Sequence, residues 1–172
     1  MAQLVGSDDA TQTVDEFIEK HKITLTATNV RQNPHMHDEA YPMFHYEVEL
    51  TRDGAESMVV YYSVGSAHIE RGQAFRYRKL LSGSPLPPQA ALERAAKSFK
   101  PPVADVLDCL ASDSAGIENV RSFEEWAWET GFDVDSRSAE RTYEACVEQR
   151  DQLLALLGRE AFEELLWQTQ RQ

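Results

Sequence analysis

Two stretches with a period of two residues, on either side of an Asp-Gly dipeptide, constrain the fold of this chain most strongly. Residues 43–50 read MFHYEVEL, in which apolar side chains alternate with one histidine and two glutamates. This period is typical of a strand with one buried and one solvent-exposed face. Residues 57–65, SMVVYYSVG, are rich in β-branched and aromatic residues, which favour strands. Because Asp53-Gly54 between them is a common hairpin turn, the sequence predicts an antiparallel hairpin.

A third strand and a helix are predicted before the hairpin. Residues 23–30, ITLTATNV, alternate apolar residues with threonines, which predicts a half-buried strand. Residues 13–22 place apolar side chains at helical spacing, with Thr13 as the expected N-cap. Residues 1–12 are predicted to form a flexible N-terminus.

The second half of the chain carries apolar residues at spacings of three and four, which indicates amphipathic helices. The expected helical segments are residues 89–99, 103–113, 122–129, 133–158 and 160–169. Ser122 and Glu125 are placed to form a capping box, and Gly131 and Gly158 to end helices. The predicted apolar stripe of the longest helix contains Ala139, Tyr143, Cys146, Val147, Arg150, Leu154 and Leu157. The fold class is therefore predicted to be α+β, with a three- to four-stranded antiparallel sheet from the N-terminal half packed with a C-terminal bundle of four to five helices.

Charge is distributed unevenly along the chain. Residues 1–69 hold 11 acidic and 4 basic side chains, residues 70–100 hold 2 and 7, and residues 102–172 hold 16 and 6. The net charges of these blocks are −7, +5 and −10 within a total of −12. An acidic surface repels nucleic acid and favours basic partners, so free duplex DNA is not an expected ligand.

The predicted domain organisation follows these blocks. Residues 1–12 form the flexible N-terminus, residues 13–68 a helix with an antiparallel sheet, residues 69–101 a basic variable segment, and residues 102–172 an acidic helical lobe. The basic segment is expected to contain a fourth strand at 74–81, a linker and a short helix. Its predicted basic patch contains Arg71, Arg76, Arg78 and Lys79.

Composition points to a cytoplasmic protein. No apolar run approaches the roughly 18 residues that a membrane helix needs, and the N-terminus lacks the pattern of a signal segment. The two cysteines, Cys109 and Cys146, lie inside amphipathic helical patterns. We expect both thiols to be buried and reduced, as in a reducing cytoplasm.

The second half contains three runs that resemble a widespread family of small phage-encoded proteins of unknown function: ADVLDCLASD, SFEEWA and GFDVDSRSAERTYEAC. The resemblance extends to ITLTATNVRQNPHM and MVVYYSVGS, and so covers nearly the whole chain outside residues 69–100. It implies a phage or prophage origin. It implies no assigned reaction, so no catalytic residue is transferred to this chain.

Three histidines lie close together in residues 35–45, HMHDEAYPMFH. His35, His37 and His45, with a neighbouring carboxylate, are ligand types that zinc and nickel accept. A second pair of ligands at metal spacing is missing from the sequence, so these histidines are weak metal candidates in a solvated loop. No cofactor and no catalytic residue is predicted.

Four acidic residues of the predicted longest helix share one side: Glu140, Glu144, Glu148 and Asp151. Residues three or four apart align on a helix, so these four lie along one side, and this side is not the apolar stripe. They are the predicted partner-binding face, and an ordinary solvated face with Arg137 and Arg141 as counter-charges is the alternative. Trp126 and Trp128 are two residues apart, so we expect one in the core and the other exposed as a protein-binding hot spot.

The leading functional hypothesis is a phage accessory protein that binds and inhibits a host protein without catalysis. Its expected target has a basic surface, as in a nucleic-acid-binding defence complex, and its action is of the anti-CRISPR or anti-restriction kind. One alternative is a binder of nucleic acid or nucleoprotein through the basic segment 70–100. Another is a small hydrolase or metal-dependent enzyme that uses the 35–45 loop. The oligomeric state is not predicted.

Overall fold

The computed structural model describes residues 8–32, 43–65 and 89–170. These ranges contain, in chain order, α1 (Asp8–His21), β1 (Thr24–Gln32), β2 (Met43–Thr51), β3 (Met58–Gly65), α2 (Gln89–Ser98), α3 (Val103–Glu118), α4 (Phe123–Thr130), α5 (Arg137–Leu157) and α6 (Arg159–Thr169). The predicted α+β class is confirmed, with an antiparallel sheet in the N-terminal half and helices after it. The predicted fourth strand at 74–81 lies outside the described residues. The helix predicted from Thr13 begins at Asp8, so Thr13 is an interior residue and not its N-cap.

The strand β2 lies at the centre of the sheet, between β1 and β3. Four alternate side chains of β2 are buried: Phe44, Tyr46, Val48 and Leu50. Thr24 of β1 hydrogen-bonds Thr51, and the Thr28 hydroxyl donates to the Glu47 carbonyl at 3.1 Å, which sets the antiparallel register of β1 on β2. The period of two residues therefore predicted the buried face of β2 correctly. In β1 the alternation was less informative, since Ala27 is exposed.

The hairpin turn forms at the predicted dipeptide. The Ala55 amide donates to the Arg52 carbonyl at 3.1 Å, which closes a β-turn around Asp53 and Gly54. Gly54 has a φ of +78°, a conformation that glycine adopts without steric cost. Residues 52–57 connect the two strands, so the connection is longer than that of a tight hairpin.

Helix α2 is fixed to the sheet by a buried hydrogen bond. The Tyr46 hydroxyl donates to the Ala96 carbonyl at 2.6 Å, and the Tyr46 ring packs against Phe99 with 5.7 Å between centroids. Burial raises the pKa of Tyr46 to about 12. Tyr46 therefore remains a neutral donor over the physiological pH range.

The chain divides into two compact units. In the described ranges, the first unit contains α1, the hairpin turn and α3 to α6, and the second contains most of the sheet and α2. This division differs from the predicted one, which grouped α1 with the sheet. The reason is that α1 packs against α3 and α6 and buries Val14 and Phe17.

The long helix α5 buries one face along its length, and this face widens toward Leu153 and Leu156 in the C-terminal half. Its buried residues are Ala139, Leu153, Leu156 and Leu157. The predicted stripe is confirmed at Ala139 and Leu157. It omitted the buried Leu153 and Leu156 and included Leu154, which is only half-buried. Arg150, also assigned to the stripe, extends to the surface and pairs with Glu118 at 2.9 Å. The wider buried face follows from the neighbours, because α5 packs against α4 as well as against α3 and α6.

Side chains cap the starts of α4 and α5, and the cap of α4 is the predicted one with one difference. Ser122 accepts a hydrogen bond from the Glu125 amide at 3.2 Å, but Glu125 accepts from the Arg121 amide at 2.8 Å and not from that of Ser122. Gly131 ends α4 with a φ of +78°. Ser136 caps the first amides of α5.

A cluster of charged residues, the Glu164 cluster, ties α1 to the corner between α5 and α6. Lys20 Nζ and His21 Nε2 each lie 3.2 Å from the Glu164 carboxylate. Arg52, from the hairpin turn, donates to the Leu157 carbonyl and lies 3.4 Å from His21 Nδ1. Burial raises the pKa of Glu164, but hydrogen bonds and charges from His21 and Lys20 together lower it by more, so the net pKa lies below the ordinary value of 4.5.

The lowered pKa of Glu164 predicts a pH-dependent contribution to stability. A depressed folded-state pKa means that the contribution is present above the unfolded-state value and is lost as pH falls through the folded-state value. We expect Glu164→Gln to lower the free energy of unfolding by about 0.5 to 1 kcal/mol at pH 7, and the difference from the parent to disappear in strong acid. Urea titrations at several pH values measure this. Glu163→Gln is the matched control and should have a smaller effect, because its ion pair with Arg159 is 3.5 Å long and largely exposed.

Candidate functional site

The predicted acidic face is present on α5. All four of its members are exposed: Glu140, Glu144, Glu148 and Asp151. Ser136 caps the helix before them, and the buried Ala139 sets their orientation toward solvent. The structure therefore brings together on one surface the side chains that helical spacing predicted to align.

Three of these carboxylates line an open groove along α5, with a volume of about 560 Å³. The residues that line this α5 groove are Tyr143, Glu144, Val147, Glu148, Asp151, Gln152 and Ala155. Tyr143 and Val147 are half-buried and Ala155 is exposed. The groove thus combines apolar contact area with negative charge, and sequence reasoning missed this apolar part because it assigned Tyr143 and Val147 to the core.

The acidic face is only partly neutralised by neighbouring cations. Asp151 accepts a hydrogen bond from Arg150 at 2.7 Å, and Glu148 accepts from Gln152 at 3.4 Å. The expected counter-charges are Arg137 and Arg141, but in the described part of the chain neither forms an ion pair with the face. Most of the charge is therefore available to a partner.

An aromatic cluster of Phe123, Trp126, Phe132 and Tyr143 supports one edge of the groove. Trp126 stacks on Phe132 with centroids 5.2 Å apart, and Tyr143 packs against Trp126 and Phe123 at 5.4 Å each. Trp126 is only 3% exposed. The cluster fixes the position of Tyr143, so the groove edge is formed before any partner binds.

The two tryptophans of α4 divide as expected, with one buried and one exposed. Trp126 is in the aromatic cluster, whereas Trp128 is 83% exposed. The reason is that residues two apart point in different directions on a helix, and that the turn at Gly131 places Phe132 against Trp126. Burial removes Trp126 from the candidate partner residues, and Trp128 remains one.

The histidine and basic candidates lie mostly outside the described residues: His35, His37, Arg71, Arg76, Arg78 and Lys79. His45 is described, and its Nδ1 lies 2.6 Å from the Ser63 hydroxyl on the solvent face of the sheet. The hairpin register could have revealed this pair. Within the described ranges no carboxylate hydrogen-bonds His45 as in a catalytic triad, and no group of three His, Cys, Asp or Glu residues could hold a metal.

Two further depressions are present in the described ranges. One lies beside β1 and α2 in the sheet unit, and its lining includes Val30, Phe44 and Lys97. The other lies at the Glu164 cluster, where the charged side chains are already engaged in ion pairs and hydrogen bonds with each other. The first mixes charges of both signs, from Arg31, Glu93 and Lys97, with its apolar lining, whereas the charged residues that line the α5 groove are all acidic.

The cysteines correct one expectation. Both are free, but Cys109 is exposed and Cys146 only half-buried. Cys109 lies one helical turn from each of the exposed residues Asp105 and Asp113 of α3. Partial desolvation of the sulfur, followed by the charges of Asp113, Asp105 and Asp108, raises the pKa of the Cys109 thiol. Burial and Asp113 raise that of Cys146.

These environments predict slow and unequal thiol labelling. The thiolate is the reactive form, so the raised pKa of each cysteine should keep labelling slow near neutral pH and let it accelerate as pH rises. We expect Cys109 to react first because it is the more exposed. Timed labelling followed by mass spectrometry measures both rates, with Cys109→Ser as the control that removes the faster phase. Equal, immediate labelling of both thiols would contradict the assignment.

Among the described residues, no helix is long and apolar enough to cross a membrane. Comparisons of the chain with protein-family models, curated proteins and solved structures found no match.

Proposed function

We propose that this protein is a non-catalytic binder of a basic protein surface, and that the acidic face of α5 is its contact region. One observation carries the proposal. Exposed carboxylates lie together along a helix, beside apolar side chains that are open to solvent. A surface with charge and apolar area side by side suits protein recognition, in which charge sets specificity and association rate and apolar anchors supply affinity.

The energetics of α5 support a cationic partner. Like charges four residues apart destabilise a helix by a few tenths of a kcal/mol per pair, and Glu140, Glu144 and Glu148 form two such pairs. A bound cationic surface relieves this repulsion. The net charge of −12 also steers a basic partner toward the protein, with an effect that weakens as salt rises.

The biological setting we propose is a phage accessory protein that inhibits a host protein in the bacterial cytoplasm. The support is the resemblance of its helical half to small phage-encoded proteins, together with the charge of −10 over residues 102–172. A host protein that binds nucleic acid has a basic groove, and an acidic helix can occupy it. Host-defence complexes of the CRISPR or restriction kind are therefore the class of target we propose.

Capture from host lysate tests the proposal. Tagged parent protein, Glu144→Lys/Glu148→Lys and the matched control Glu124→Lys/Glu129→Lys are compared at low salt. All four residues are exposed, and the two double variants change the net charge equally. We expect the parent and the control to retain one stoichiometric basic partner that the α5 variant loses.

Two results would count against this function. Equal capture by all three proteins would exclude the acidic face as the interface and direct attention to Trp128. Binding of free duplex DNA with a sub-micromolar dissociation constant at about 150 mM salt, where non-specific binding is micromolar or weaker, would favour a nucleic-acid binder instead.

A further inference from the structure

We infer that the α5 groove accepts a cationic amphipathic helix of a partner protein, not an extended chain or a flat basic surface. This inference rests on the proposed function, since it specifies which structure the basic partner presents to the same face. The evidence is the arrangement of charge and apolar area within the groove.

The groove side chains form rows of residues four apart. The apolar row, which is interrupted by one carboxylate, consists of Tyr143, Val147, Asp151 and Ala155. The acidic row beside it consists of Glu144, Glu148 and Gln152. Because four residues of a helix return to nearly the same side, these rows are ridges that run along α5 with shallow channels between them.

A partner helix matches these rows in shape. Ridges of residues four apart on one helix pack into the channels between such ridges on another. The groove extends from Tyr143 to Ala155, which at 1.5 Å per residue is about 18 Å. A helical segment of three to four turns has this length, and segments of that size are ordinary in proteins.

A partner helix also matches the rows in chemistry. An apolar row and a basic row can lie side by side on one helix surface. The first contacts Val147 and Ala155, with one basic residue opposite Asp151, and the second contacts Glu144 and Glu148. In an extended chain successive side chains point to opposite faces. A strand that contacts the groove with its basic residues therefore directs the alternating apolar residues away from it.

The groove is preorganised for a helical ligand. Tyr143 is held by its ring contacts with Trp126 and Phe123 at 5.4 Å each, so the apolar row loses little freedom on binding. Ala155 is exposed, and its small side chain leaves room for an apolar anchor from the partner. A rigid groove with an open end favours a preformed helix over a segment that must be ordered on binding.

Two synthetic peptides of about 18 residues, about five turns if helical, test the inference with the whole chain. They have the same leucine, lysine and alanine content. In one, leucine and lysine occupy adjacent rows at helical spacing, and in the other they alternate at every second residue. We expect the helical probe to bind about tenfold more tightly at about 150 mM salt, a difference that side-chain placement alone supplies. Fluorescence anisotropy measures both affinities.

Ala155→Gln fills the open end of the groove without changing charge. It should weaken the affinity for the helical probe about tenfold and leave the affinity for the alternating probe unchanged. Ala145→Gln, at an exposed alanine of α5 that does not line the groove, is the matched control and should change neither. Circular dichroism confirms that both variants remain folded.

The possible results separate this inference from the proposed function. If both probes bind equally and both are lost in Glu144→Lys/Glu148→Lys, the face binds cations but the helical ligand is overturned. If neither probe binds the parent, or if Ala145→Gln weakens binding as much as Ala155→Gln, the helical ligand is again overturned. In each case the capture experiment decides the proposed function independently.

Discussion

Replacing Trp126 by alanine should lower the free energy of unfolding by about 3 to 5 kcal/mol, the range for large aromatic side chains in cores. Trp126 is buried with Ile117 and Ala127 and contacts every other ring of the aromatic cluster. Its removal leaves a cavity that the backbones of α4 and α5 cannot fill. A loss of this size is a large fraction of the stability of an ordinary domain.

Trp128→Ala is the matched control, two residues away on the same helix. Because Trp128 is 83% exposed, we expect the free energy of unfolding to change by less than about 0.5 kcal/mol. Trp126→Phe keeps a ring in the cluster and should cost less than alanine, which provides a measurable variant if Trp126→Ala does not fold. Urea unfolding followed by circular dichroism compares the variants. Equal losses of unfolding free energy in Trp126→Ala and Trp128→Ala would show that the aromatic cluster does not stabilise the packing of α4 on α5.

Local sequence patterns predicted the helices, strands and turns of this fold, because the residues that determine each of these elements lie within it. The alternation in β2 identified its buried side chains, and Gly54, Gly131 and Gly158 mark the turn and helix ends with positive φ values. The acidic face of α5 was also predictable, since residues three and four apart align on any straight helix.

The features that were not predicted depend on which elements meet. The buried face of α5 widens along the helix because its neighbours change, so Leu153 and Leu156 are buried although the stripe omitted them. Cys109 has an apolar pattern around it but lies on the exposed side of α3. The packing of α1 against α3 and α6 joins residues more than 80 positions apart in the sequence, which no local period can indicate.

The α5 groove shows why the site was only half predicted. Its carboxylates were identified from spacing, but Tyr143 and Val147 were assigned to the core. Both are half-buried, since each packs against the Trp126 cluster on one side and lines the groove on the other. A residue with both roles has the same sequence pattern as a core residue, so the apolar part of the site became visible only in the structure.

Charge reversal on the acidic face should slow the association of the basic partner by about tenfold or more, because complementary charge mainly raises the association rate. Glu144→Lys/Glu148→Lys replaces two attractive charges by two repulsive ones at the groove. The fold should be retained, since both side chains are exposed and lysine and glutamate have similar helix propensities. The control Glu124→Lys/Glu129→Lys alters the total charge equally but lies on α4.

The most direct measurement is the association rate of the captured host protein as a function of salt concentration, for the parent and the two double variants. The account predicts a steep decrease with salt for the parent and for the control. It predicts a slow and nearly salt-independent rate for Glu144→Lys/Glu148→Lys, because the local attraction is gone. Rates and salt dependences that are the same for both double variants would contradict it, since the partner would then respond to the total charge of the protein and not to the acidic face of α5.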